Sequence, residues 1–132
     1  MTPGPVQRAV RAAVAPGVVL RTPARGAPFV VERVDGDGIV LLLGAKRAWT
    51  PLDWRCIEGI ADFLRGRGWV AVGGTYDVKG KAGTLDAYLK GCINRATANW
   101  IAVVLETAGV VEIDRGRPLR VRLKPGFRGA IA

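Results

Sequence analysis

Apolar and polar positions along this chain change period near Trp49. From Val18 to Arg21 and from Pro28 to Val34 the residues are largely β-branched, and Asp35-Gly36-Asp37-Gly38 joins the second run to the apolar stretch Ile39 to Leu43. That arrangement predicts an antiparallel hairpin. The stretch Ile39-Val40-Leu41-Leu42-Leu43 does not alternate, so both faces of its strand should be covered, most readily by the helices that follow. Residues 18–48 are thus expected as an accessory hairpin region packed on the rest. Before them, Met1 to Gly17 is rich in Pro, Ala and Arg without a sustained period, which predicts a flexible basic arm with at most a short helix over Val6 to Val14.

From Thr50 the period is helical. Thr50 is placed as N-cap, Pro51 as first helical residue and Asp53 as the carboxylate three residues after the cap, which predicts a helix to about Arg65. Trp54, Ile57, Ile60, Ala61, Phe63 and Leu64 give it a wide apolar stripe, and Gly66 and Gly68 stop it. A short strand follows at Trp69 to Val72. The loop Gly73 to Gly83 leads to a short second helix over Leu85 to Lys90, capped by Thr84 and closed by Gly91. A third helix spans about Arg95 to Ala108, with Ile101, Val104, Leu105 and Ala108 inward and Arg95, Asn99, Ala102 and Glu106 outward. Val111 to Ile113 and Leu119 to Leu123 alternate apolar and charged residues, as strands with one face on a core do, and Asp114 to Pro118 connects them.

Charge adds to this picture. Twenty Lys and Arg stand against eleven Asp and Glu, a net +9 with a pI near 10.6, which suits a nucleic-acid binder. The excess is uneven. Residues 1–50 and 109–132 each carry +4, and residues 51–108 only +1. At the carboxyl end Arg115, Arg117, Arg120, Arg122, Lys124 and Arg128 face only Glu112 and Asp114 in the count.

Element order and patterning over residues 49–124 resemble the winged-helix superfamily. The fold class implied is α+β: a winged helix, in the order helix, strand, helix, helix, strand, wing, strand, with an N-terminal antiparallel β-hairpin packed on it and a tail at 125–132. In relatives the third helix enters the major groove and the wing touches backbone or minor groove. Carried over, the resemblance implies DNA contacts by Arg95 and Asn99 on the third helix and by Arg115, Arg117, Arg120 and Arg122 on the wing. Lys79 and Lys81, in the loop before the second helix, are placed to touch a phosphate. The third helix holds little base chemistry. Its one basic residue is Arg95, so the expected ligand is double-stranded DNA gripped mainly by its backbone, through a bacterial regulator of transcription or a DNA-recognition subunit. The alternative is a protein-interaction module, homodimeric or with another partner, using the apolar third-helix surface of Trp100 and Val103.

Enzymatic readings have little to stand on. The chain contains no histidine, which removes the triad and zinc-hydrolase chemistries that need one. The 74–81 loop lacks the spacing and the Ser or Thr of a phosphate-binding P-loop, since Ala82 stands there. Asp62, within the first helix, has no reason to converge on a metal with Asp77. No cofactor or metal is expected. Cys56 and Cys92 have no metal-type spacing and read as core or half-buried thiols in a reducing cytoplasm, and no stretch reaches the length of a membrane span.

Overall fold

Thr50 to Asp53, expected to open a helix, ends a strand. In the computed structural model, which describes residues 3–73, 83–93 and 96–127, the chain runs α1 (Pro5–Ala13), β1 (Val18–Arg21), β2 (Pro28–Val34), β3 (Gly38–Leu43), β4 (Ala48–Asp53) and α2 (Trp54–Leu64). It continues with β5 (Val70–Ala71), α3 (Leu85–Lys90), α4 (Ala98–Thr107), β6 (Val111–Asp114) and β7 (Arg120–Leu123). Thr50 and Leu52 point inward while Trp49, Pro51 and Asp53 stay exposed, an alternation of period two. Pro51 is tolerated because β4 lies at a sheet edge. The helix cap is Asp53, whose carboxylate accepts the Cys56 N–H at 2.8 Å.

This rearrangement overturns the expected fold. A winged helix begins with its first helix and here would carry only an accessory hairpin. The protein is α+β, but a four-stranded antiparallel sheet, in order β1-β2-β3-β4, comes before α2, α3 and α4. Three successive hairpins build it. Its inner face supplies Phe29, Val31, Ile39, Leu41, Leu43 and Leu52 to the same apolar core that takes in all four helices. Gly38 is fixed by close approach: a Cβ there would lie 2.2 Å from the Leu52 carbonyl oxygen across the β3–β4 ladder. The second sheet, in order β5-β7-β6, pairs Val70 with Val121 and Ile113 with Val121.

Residues 5–13 form the short helix allowed for in the arm, but it is docked on the core and not flexible. Val6, Val10 and Val14 recur every four residues, fall on one stripe and are buried to within 2%. The first turn of α1 has no side-chain cap of its own. Glu58 of α2 provides one, accepting the N–H of Val6 at 3.1 Å and of Gln7 at 2.8 Å. Gly4 allows the approach, since a Cβ at that position would overlap the Glu58 carboxylate. Replacing Glu58 by Ala should lower stability by about 1 to 3 kcal/mol, because two partly buried donors lose their acceptor. Urea unfolding measures it, and Glu58→Gln, which keeps one acceptor oxygen and turns an NH2 donor toward the other N–H, should fall between. Identical midpoints for all three proteins would mean that the valines alone dock α1.

The cysteines are corrected as well. Cys56, at the start of α2, and Cys92, just after α3, form a disulfide with Cα atoms 6.0 Å apart. The spacing of 36 residues hides this in the sequence, because only the packing of α3 on α2 brings the two together. Among the described residues no helix is long and apolar enough to cross a membrane.

Candidate nucleic-acid interface

Three of the four expected wing arginines are already neutralised within the molecule. Asp114 faces Arg120 and Glu112 faces Arg122 directly across the β6–β7 ladder. Arg120 Nε donates to Asp114 at 3.1 Å and Arg122 Nε to Glu112 at 2.8 Å. Arg115 makes a two-pronged contact with Glu106 of α4, both N···O distances 2.7 Å, which ties the hairpin tip back to the body. The electrostatics follow. The hydrogen bond from Arg120, helped by the Gly116 N–H, holds the Asp114 carboxyl below its ordinary range, and the hydrogen bond to Glu106 raises the Arg115 guanidinium. Trp69 lies under Arg122, 4.5 Å from its guanidinium carbon, and near Arg120. A phosphate reaching any of the three would meet a cation already compensated by a carboxylate. Arg117 and Lys124 are exposed and take part in no ion pair among the described residues.

The expected reader helix is not a surface element. On α4, Ile101, Ala102, Val103, Val104 and Leu105 are all buried, enclosed by contacts with α1, α3, β1 and β6. Ala102, expected outward, is fully enclosed. A helix surrounded in this way cannot lie in a major groove. Asn99 is half-buried near its start, and Glu106 is taken by Arg115. The apolar interaction surface expected of Trp100 and Val103 is likewise missing, with Val103 6% exposed and Trp100 packed on the core. Arg95, Lys79 and Lys81 lie outside the described residues.

A cationic cluster that the sequence reading passed over sits at the opposite end of the chain. The β1–β2 and β3–β4 connections emerge at the same end of the four-stranded sheet, because alternate turns of a meander share an end. They place Arg21, Arg25, Lys46 and Arg47, all exposed, along that one end. No Asp or Glu occurs in residues 1–31 or 38–52; the sheet's acids are Glu32, exposed within β2, and Asp35, Asp37 and Asp53, which gather at its other end. The one ion pair on this sheet among the described residues, Arg33 with Asp35 at 3.8 Å, is also at that other end. Arg21 donates to the Gly26 carbonyl, a neutral acceptor, at 2.9 Å. Arg47 holds a left-handed backbone, φ 51°, in a turn closed by its N–H on the Gly44 carbonyl at 3.1 Å. Non-glycine residues adopt that conformation at a cost of about 1 to 2 kcal/mol.

The signal for this cluster was available. Arg21 and Arg25 flank one predicted strand end, and Lys46 and Arg47 follow another, but their proximity depended on recognising β4.

No family model, no curated protein and no solved structure matches this chain.

Proposed function

We propose that this protein binds nucleic acid, with duplex DNA the first candidate, by gripping the phosphate backbone with limited base readout. The observation that carries the reading is the acid-free cluster Arg21, Arg25, Lys46 and Arg47 at one end of the N-terminal sheet. Like charges along one edge with no ion-pair partner among the described residues raise the local positive potential, and a polyanion docking there is attracted while releasing its own counterions. Arg117 and Lys124 add two further cations on the C-terminal hairpin and its exit. The paired Arg115, Arg120 and Arg122 serve to stiffen that hairpin. This reading keeps the ligand expected from the charge balance and moves the grip away from the wing arginines and from α4.

A titration of labelled duplex at several salt concentrations tests it. With about six phosphates neutralised, log K should fall against log salt with a slope near −5, a loss of roughly 10³-fold between ~50 and ~200 mM. Affinity that is flat with salt would end the proposal. A cytoplasmic setting goes with such a ligand, and there dithiol systems would act on the Cys56–Cys92 bond.

A further inference from the structure

The outer face of the four-stranded sheet carries an apolar row in front of the cationic end. Across the four strands the registers align Val19 with Val30, Val30 with Leu42, and Leu42 with Trp49. Directly opposed residues in an antiparallel sheet share a face, so these four side chains form one line about 14 Å long, at ~4.8 Å per strand. It is the face turned away from the core, because Val18, Val31, Leu41 and Thr50, the next positions along, point inward. The two ends of the row are open to solvent, with Val19 and Trp49 each 56% exposed.

Continuing the same alternation by two residues in each strand reaches Arg21 and Pro28, which are paired, and then Gly44 and Arg47 at the next turn. Arg21 and Arg47 therefore stand at the two edges of the sheet beside the apolar row. Between them lies a recess of about 270 Å³, floored by Pro28, Val30 and Leu42 and bordered by Val19, Gly44 and Arg47.

An apolar, aromatic row backed by uncompensated cations matches one kind of polyanion. In a duplex the bases are stacked and hidden, so only phosphates would meet this surface. A single strand presents both its phosphates and the flat faces of its bases. We infer that the outer sheet face is a binding site for single-stranded nucleic acid. One base stacks on Trp49, neighbouring bases lie along Leu42, Val30 and Val19, and the phosphates run past Arg47 and Lys46 toward Arg21 and Arg25. Two or three bases fill the row. The inference rests on the backbone-binding reading above and puts a single strand in place of the duplex as the ligand of this face.

The experiment compares wild type, Trp49→Ala and Trp49→Phe for binding to an oligo-dT of ~12 nucleotides, a length within the range of known single-strand sites, and to a duplex. Trp49→Ala should weaken the single strand about 5- to 150-fold, the range for one stacked base, and leave the duplex unchanged. Trp49→Phe, which keeps an aromatic face, should recover most of the loss. Wild type should also show tryptophan quenching on the single strand that is reduced in Trp49→Phe. Equal effects on both ligands, or none on either, would overturn the single-strand site. If the four-cation variant described below still loses binding in that case, the backbone reading survives without it. Trp49-dependent fluorescence shifts on phosphatidylserine vesicles, with none on the oligonucleotide, would overturn the inference in favour of a lipid surface.

Discussion

Replacing Arg21, Arg25, Lys46 and Arg47 together by Ala is expected to weaken nucleic-acid binding on the order of 10³-fold at ~0.1 M salt and to reduce the salt slope by between 3 and 4, about 0.9 per phosphate contact. Folding should be spared. All four side chains are exposed, they take part in no ion pair among the described residues, and surface changes of this kind usually shift stability by less than about 0.5 kcal/mol each. At Arg47 the sign is open to a sharper check, because Gly accepts a φ of 51° without strain. Arg47→Gly should leave the protein as stable or more stable while it binds more weakly. A four-cation variant with unchanged affinity and slope would remove the basis of the proposed function.

The control is the hairpin. Deleting Arg120 and Arg122 alone would leave Asp114 and Glu112 as new repulsive charges, so whole pairs must go. Asp114→Ala with Arg120→Ala, and Glu112→Ala with Arg122→Ala, change no net charge. Each pair spans directly opposed positions, half-buried apart from the exposed Arg120, worth about 0.2 to 1 kcal/mol to the sheet. Binding should stay as it was if the arginines are committed to their carboxylates.

These pairs show what the residues alone could and could not disclose. Glu112 and Asp114 alternate on one strand, Arg120 and Arg122 on the next, and a tight connection sets them opposite one another. That register was readable, but a count of charges treated six bases and two acids as a surplus. Trp54 was readable too: it is buried as expected, with its indole N–H on the Asp35 carbonyl at 2.6 Å. So were the valines of α1, spaced by four. Asp53 was misplaced by three residues because Thr50-Pro51 imitates a helix start, and the pull of Ile39 to Leu41 for a strand partner decides the matter only in three dimensions. The same slip concealed β4, and with it the fact that Arg21, Arg25, Lys46 and Arg47 share one end of the sheet. The burial of α4 was hidden for a related reason. Ala102 and Val103 look like the flank of an amphipathic helix until α1 and β1 are known to pack there.

Opening the Cys56–Cys92 bond should lower the unfolding free energy by about 2 to 4 kcal/mol, the range for a native cross-link, with a chain-entropy value near 4 for a closed loop of this size. A dithiol reductant does this without mutation, giving two cysteine thiols and a cyclic disulfide in the reductant. Cys92 is exposed, so the bond is accessible from that side. For a chain of this length the loss corresponds to roughly 10 °C in Tm. The reduced protein should remain folded, because α3 has other holds on α2. The Tyr88 hydroxyl donates to the Cys56 carbonyl at 2.8 Å, its ring stacks on Phe63 at 5.2 Å, and Leu85 and Leu89 are fully buried. Loosening should therefore be local first, seen as faster amide exchange over residues 85–93 than over the N-terminal sheet. Because the sheet and its cations lie on other elements, reduction should leave the salt slope of binding intact. Equal thermal midpoints in the oxidised and reduced proteins would show that packing alone holds α3 on α2.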